Sequence, residues 1–160
     1  MKGLFQDVLL KIFFCLGVSF YPFLSALAED PVVTQVASGG SSFHYINSNG
    51  SLWAMGSNSY GQLGDGTTTD QYSPVEIVPS EVTQVASGGG RTHFIKSGGS
   101  LWAMGNNEYG QLGDGTTTDQ YSPVEIVSSG VSQVIAGGEF SLFIKSGGSL
   151  WAMGNNEYGQ

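Results

Sequence analysis

Three tryptophans set 49 residues apart govern how this chain can be built. Trp53, Trp102 and Trp151 each sit in Ser-Leu-Trp-Ala-Met-Gly, and Gln62, Gln111 and Gln160 follow at the same interval of 49. Val33–Glu81 aligns with Val82–Gly130 without a gap and differs from it at ten of 49 positions, and Val131–Gln160 is a third, partial copy. Self-similarity at a fixed period near 50 marks a repeat architecture, in which one unit cannot bury its own apolar surface and stacks on its neighbours instead. Copies this alike also report recent duplication, so their shared residues say little about which positions function requires.

Each period reads as short strands punctuated by turn residues. Val33–Ala37 is valine-rich and ends at Ser38-Gly39-Gly40, and Phe43–Asn47 is aromatic and β-branched, with Thr92–Lys96 and Ser141–Lys145 as its counterparts. Ser48-Asn49-Gly50, Ser97-Gly98-Gly99 and Ser146-Gly147-Gly148 supply residues that tolerate positive φ in a hairpin turn. Leu52–Met55 is the return strand, Gly56–Ser73 a long polar loop, and Pro74–Val78 the last strand, with Pro74 expected at its first position. Apolar residues occupy both faces of the middle strands: Tyr45 alternates with His44 and Ile46, and Trp53 with Leu52 and Ala54. A sheet apolar on both sides must be covered on both sides. The expected fold is therefore all-β, made of β-propeller blades, each a four-stranded antiparallel sheet.

The first 28 residues read as an export signal. Lys2 and Lys11 flank a short polar start, Ile12–Leu24 is apolar, and Ala26-Leu27-Ala28 ends the run with small residues where a signal peptidase reads. An uncleaved anchor helix over Val8–Ala28 is the competing reading; Pro22 and the small-residue exit favour cleavage. The expected organisation is a signal peptide over 1–28 and repeats over 29–160: repeat 1 at 31–81, repeat 2 at 82–130 and partial repeat 3 at 131–160. The mature chain is expected to be secreted or extracytoplasmic, with no membrane association after cleavage. Cys15 lies in the signal, so residues 29–160 hold no cysteine and can form neither a disulfide nor a zinc–thiolate site. Their cations are Arg91, Lys96 and Lys145 against twelve carboxylates, a net charge of −9. Such a surface repels phosphate backbones, which disfavours nucleic acid, and it favours basic partner surfaces.

Gly-x-Asn-x-Tyr-Gly-Gln-Leu-Gly-x-Gly at Gly56–Gly66 and Gly105–Gly115 resembles the repeat of the regulator of chromosome condensation family. Val-Ala-Ser-Gly-Gly, the following His44 or His93, and Gly-Ser-Leu-Trp-Ala-Met-Gly fit the same pattern. Kelch and WD40 repeats have similar lengths but lack the Gly-Gln-Leu-Gly core. The resemblance covers essentially all of residues 29–160 and implies a β-propeller, typically seven-bladed. Seven periods need about 340 residues. The chain holds about two and a half blades and stops inside the third Gly-Gln-Leu-Gly motif, so it is expected to be a truncated fragment whose remaining blades lie in missing C-terminal sequence. Two open blade faces then predict marginal stability alone. The family's best-known member is a guanine nucleotide exchange factor that docks on chromatin. The export signal, the lack of a basic tail and the lack of an exchange wedge argue against that role here, and secreted bacterial members are closer in kind.

Candidate chemistry is sparse. His44 and His93 have Leu142 at their position in the third copy, which points to a packed slot rather than a catalyst. Asp65–Asp70 and Asp114–Asp119 hold carboxylates and hydroxyls close together; calcium binding and a plain Asp-Gly turn are both open, and the missing alternation of ligands favours the turn. Gly61–Gly66 lacks the Lys-Ser/Thr of a phosphate cradle, and its glycines suit close approach between blades. Gln62 and Gln111 are expected to hydrogen-bond buried loop backbone. The three tryptophans, with Met55, Met104 and Met153, suit blade core better than a sugar-stacking surface. No catalytic, cofactor or metal-ligating residue is assigned.

The positions that differ between copies fall mostly at turns, where a rigid scaffold usually carries specificity. Ser41, Ser42, Asn47, Asn49 and Ser57, with Arg91, Lys96, Asn106 and Glu108, are accordingly the candidate partner-binding loop residues; neutral drift at exposed turns is the competing explanation. The expected function is an exported, non-catalytic protein-interaction scaffold that meets a protein partner through loops at one face. Two alternatives stand beside it: part of a propeller hydrolase or lyase whose site lies in missing blades, and a carbohydrate-binding surface module.

Overall fold

A computed structural model describes residues 32–160, so the expected signal peptide lies outside the described residues. Eleven strands follow in order: β1 (Val33–Gly39), β2 (Ser42–Asn47), β3 (Leu52–Gly56), β4 (Gln71–Val78), β5 (Val82–Gly88), β6 (Arg91–Lys96), β7 (Leu101–Gly105), β8 (Gln120–Val127), β9 (Val131–Ala136), β10 (Phe140–Lys145) and β11 (Leu150–Gly154). They form two four-stranded antiparallel sheets, β1–β4 and β5–β8, and a three-stranded one, β9–β11. Each sheet is one repeat, and the three are the blades of a partial β-propeller.

The two-sided apolar pattern explains the stacking. Ile46, Leu52 and Val78 of the first blade pack against Val82, Val85, Phe94 and Met104 of the second. Ile95 and Leu101, on the other face of the second blade, pack against Val131, Val134 and Phe143 of the third. Tyr45, Phe94 and Phe143 stack on Trp53, Trp102 and Trp151 across β2–β3 and its equivalents, with ring centroids 6.3, 6.2 and 6.0 Å apart. The first strands of successive blades lie against one another, and glycine permits it. A Cβ on Gly88 would sit 2.6 Å from the Ala136 carbonyl oxygen, and one on Gly39 would sit 2.7 Å from the Gly88 nitrogen.

One strand boundary differs from expectation. Pro74 is inside β4, which begins at Gln71, rather than at its first position. β4 is the outer strand of its sheet and pairs irregularly with β3 between Ala54 and Gly56, so a residue without an N–H interrupts no second ladder there.

Candidate interaction face

Antiparallel order sends the β1–β2 turn and the long β3–β4 loop to one end of each blade, and the β2–β3 turn to the other. At the loop end the long segment folds on a buried asparagine. Asn58 donates through Nδ2 to Asp65 Oδ1 (3.0 Å) and to the Thr67 and Thr69 carbonyls (3.0 and 3.2 Å), and accepts at Oδ1 from the Leu63 N–H (3.0 Å). Asp70 caps the Asn58 N–H at 2.8 Å. Asn107 repeats the arrangement with Asp114, Thr116, Thr118, Leu112 and Asp119. Asp65 and Asp114 thus act as turn builders. Burial opposes their ionisation, but donors from Thr67, Gln71 and Asn58, or Thr116, Asn107 and Gln120, outweigh it and hold both below the usual carboxylate range.

The Gly-Gln-Leu-Gly segment closes the loop onto the next blade. Gln62 Oε1 accepts from the Tyr60 N–H (2.9 Å) and Gln111 Oε1 from the Tyr109 N–H (2.8 Å), while Leu63 and Leu112 are fully buried. Gly61 has φ 75°, and a Cβ there would meet Tyr121 Cα of the second blade at 2.7 Å, so this glycine answers to both conformation and contact. Pinning the backbone in this way turns the tyrosine rings outward: Tyr60 is 47% and Tyr109 45% exposed.

Around Tyr109 the charge is one-sided. Glu108 from the second blade's loop and Glu139 from the third blade's β9–β10 turn hold its phenol above the ordinary tyrosine range, with smaller contributions from burial and from Glu157. All three glutamates are exposed. Asn155 Nδ2 donates to Glu139 Oε2 at 2.8 Å and fixes one carboxylate in place. An exposed aromatic ring in the field of carboxylates from two blades can stack on a guanidinium or ammonium group.

The candidate loop residues divide between the two ends. Ser41 and Glu108 are exposed and Ser57 and Asn106 half-buried at the loop end, the main chains of Ser57 and Asn106 donating to the Ser41 and Gly90 carbonyls (both 3.0 Å). Asn49 and Lys96 lie at the opposite end, so the expectation of a single loop face gives way to two groups. Three candidates are buried and present nothing to a partner: Ser42, Asn47 and Arg91. Asn47 is turned inward by a hydrogen bond from its Nδ2 to Ser51 Oγ (3.2 Å). Lys96 Nζ covers the Trp102 ring at 4.4 Å and Lys145 Nζ the Trp151 ring at 4.7 Å.

Arg91 departs furthest from expectation. Its side chain runs between the second and third blades with no exposure. It donates to Ser141 Oγ (2.9 Å), to the carbonyls of Gly88 (3.1 Å), Gly138 (2.7 Å) and Gly137 (3.4 Å), and to the Phe140 carbonyl. Burial lowers its pKa to about 10. Both histidines are fully buried too. His44 Nε2 lies 3.1 Å from the Gln62 carbonyl oxygen and 3.1 Å from Thr92 Oγ1, which itself donates to that carbonyl at 3.0 Å. A carbonyl only accepts, so His44 carries its proton on Nε2.

Sequence reading overlooked Tyr109, Glu139 and Glu157 as one group. The 49-residue spacing of Tyr60, Tyr109 and Tyr158 was the available signal, but only the packing of one blade on the next shows which acids converge.

Stacked antiparallel blades and these loop closures define a repeat propeller of the Gly-Gln-Leu-Gly kind. A family model described as "Regulator of chromosome condensation (RCC1) repeat" matches residues 49–95 and 98–144, and a second of the same description matches 33–62, 82–111 and 131–160. The chain belongs to the RCC1 repeat family. No curated protein matches it. Among solved structures it is similar to human WBSCR16, with 28% identity and a TM-score of 0.72 over 79% of this chain and 34% of that one. It shares its fold with yeast RCC1 (Prp20) bound to Kap60, at 19% identity and TM-score 0.69 over 78% of this chain and 32% of that one. A second structure, of Prp20p from Saccharomyces cerevisiae, described with its binding properties to Gsp1p and histones, gives 19% identity and TM-score 0.66 over 78% and 34%. The chain thus spans about a third of the length of the structures it matches.

Proposed function

We propose that this chain is an exported, non-catalytic protein-interaction scaffold, and that its loop end binds a basic protein segment. The observation that carries this reading is that the half-exposed Tyr109 lies in the field of the exposed carboxylates of Glu108 and Glu139, and more weakly of Glu157. Charge balance supports it. Among the described residues the cations are Arg91, Lys96 and Lys145; the first is buried and the other two lie over tryptophan rings. The surface is left acidic, which steers basic partners and repels nucleic acid. The structural neighbours lend analogy at the level of fold: Kap60, Gsp1p and histones, the partners in their descriptions, are proteins. Export rests on the sequence of residues 1–28, and amino-terminal sequencing of protein recovered outside the cytoplasm tests it.

The binding test uses an arginine-rich synthetic peptide and its glutamate-rich counterpart, followed by fluorescence anisotropy at low and high salt. The arginine-rich peptide should bind, should weaken with salt, and should lose about tenfold or more in affinity when Glu108, Glu139 and Glu157 are all changed to Gln. Equal binding of both peptides, or an unchanged affinity in the triple variant, would discard the reading.

A further inference from the structure

The turn between β2 and β3 differs in its chemistry from its two counterparts. It reads Ser48-Asn49-Gly50-Ser51, where the later copies have Ser97-Gly98-Gly99-Ser100 and Ser146-Gly147-Gly148-Ser149. Asn49 is the one asparagine in the sequence that precedes a glycine. It is exposed, at the end of the blade away from the long loops, and takes no part in the proposed interaction face.

Two donors meet its side-chain carbonyl. The Ser51 N–H donates to Asn49 Oδ1 at 3.0 Å and the Ser51 hydroxyl at 2.8 Å. Ser51 is buried and held in place, its Oγ accepting from Trp53 Nε1 (2.9 Å) and Asn47 Nδ2 (3.2 Å), so its own proton is left for Asn49. These bonds fold the asparagine side chain back along Gly50. Negative charge developing on Oδ1 meets an N–H and an O–H, the kind of arrangement that stabilises an oxyanion. Gly50, with φ 79°, has no side chain to shield its nitrogen. Its N–H donates to the Asn47 carbonyl at 2.8 Å, a bond closing an exposed turn, which opens locally more easily than the strands beside it. Asn58 and Asn107 share none of this. Both are fully buried, their Nδ2 groups are tied to carboxylates and carbonyls, and Ser59 and Glu108 follow them.

We infer that Asn49 is a site of self-modification, at which the chain deamidates through its own backbone. The Gly50 nitrogen gives its proton to hydroxide and attacks Asn49 Cγ. A carbon–nitrogen bond forms between them, the Cγ–Nδ2 bond breaks, and Nδ2 leaves as ammonia with a proton from water. Water then opens the cyclic imide. Opening at Cγ gives aspartate; opening at the Asn49 main-chain carbonyl gives isoaspartate, whose backbone runs through Cβ and Cγ and is one atom longer. The turn's position gives this a consequence. The Gly50 carbonyl accepts from the Val82 N–H at 2.9 Å, and a Cβ on Gly50 would lie 2.7 Å from the Glu81 nitrogen. A lengthened backbone cannot keep that fit, so isoaspartate loosens the first blade from the second. Gly99 makes the same bond to Val131 at 2.9 Å, but Gly98 precedes it, so the second junction does not age.

The test incubates the full chain warm at mildly alkaline pH, with peptide mass mapping and isoaspartyl methyltransferase labelling. The peptide holding Asn49 should gain the mass difference between an amide and an acid, and take up label, at a rate proportional to hydroxide. Peptides holding Asn58, Asn106 and Asn107 should not. Ser51→Ala removes one donor to Oδ1 and should slow conversion about three- to tenfold, the worth of one hydrogen bond. Asn49→Gly, which copies the second turn, should abolish it. The urea midpoint of the incubated wild type should fall with isoaspartate content, while Asn49→Asp, with the charge but not the extra atom, should match fresh wild type. An Asn49 that survives as long as Asn107 would overturn the inference. So would a folded Ser51→Ala variant that reacts at the wild-type rate, or an equal loss of stability in incubated Asn49→Gly.

Discussion

The two blade junctions in this chain are built from nearly the same sequence and held by different polar groups. Between the first and second blades, His44, Thr92 and the Gln62 carbonyl form a closed set of contacts near 3 Å. Between the second and third, the equivalent His93 makes no hydrogen bond of good geometry through either ring nitrogen, and Arg91 takes Ser141 Oγ and four carbonyls instead. Ser42 in one copy stands where Arg91 does in the next, and the hydroxyl facing the histidine is Thr92 at the first junction and Ser141 at the second. At the neutral junction one ring N–H meets the carbonyl and hydroxyl, while His44 Nδ1 is buried without a partner. The charged one needs a sleeve of carbonyls, which the Gly-Gly turns supply because no side chain stands between backbone and guanidinium. Repeats that look interchangeable are therefore not equivalent at their contacts.

The most severe way to break this comparison is to truncate its charged member. Arg91→Ala leaves a cavity and several carbonyls without donors at the second junction, and should cost about 2–4 kcal/mol. Ser42→Ala at the same position of the first blade should cost under about 1 kcal/mol, since its hydroxyl makes only a 3.4 Å contact with the Gly39 carbonyl. Urea titrations followed by tryptophan fluorescence measure both. Comparable losses in the two variants would mean that Arg91 is not what holds the second junction.

Acid should separate the junctions next. Burial pushes His44 down to about 4, with the Gln62 carbonyl opposing; burial, then the Arg91 charge, pushes His93 to about 3. Both folded values lie below the ordinary 6.5, so the unfolded chain takes up protons first. The stabilisation is complete above pH 6.5 and is lost as pH falls toward 4 for His44 and toward 3 for His93. Each tenfold difference in proton affinity is worth about 1.4 kcal/mol, so a loss of a few kcal/mol is expected across that window. His93→Leu, which copies Leu142, should remove the larger share at little cost at neutral pH, because the ring nitrogens meet the Leu112 and Gln111 main chain only in poor geometry. Asp65 and Asp114 titrate below the usual carboxylate range and act only at lower pH. A stability curve for His93→Leu parallel to that of the wild type between pH 6.5 and 4 would refute the assignment.

The blades themselves were legible in the sequence, because a 49-residue period and strands apolar on both faces leave few alternatives. Gln62 and Gln111 were readable as backbone partners for the same reason: a buried amide repeated at one loop position must be satisfied. Arg91 was not. It differs between copies at a turn, as an exposed specificity residue would, and its acceptors are carbonyls, which every residue has and no composition reveals. Its alternation with His93 and Ile95 along β6, all on the face turned to the third blade, was the overlooked sign. The acids around Tyr109 were hidden for another reason, since Glu108 and Glu139 come together only when adjacent blades find their register.

The smallest expected effect also comes from a difference between the junctions, this time in their connectors. Glu81 leads from the first blade into β5 with φ 72°, the one positive value at a non-glycine among the described residues. Gly130 leads into β9 at the same position with φ 79°. A side chain in this left-handed region costs about 1 kcal/mol, which glycine avoids, although glycine also has more freedom to lose on folding. The Glu81 carbonyl accepts from the Ser97 N–H at 2.7 Å, a main-chain bond that any residue can keep. Glu81→Gly should therefore stabilise by about 0.5–1 kcal/mol, visible as a higher urea midpoint with an unchanged slope. Gly130→Glu should destabilise by a similar amount. If both substitutions were neutral, the connectors would be as interchangeable as their sequences suggest, and the asymmetry would be confined to Arg91 and the histidines.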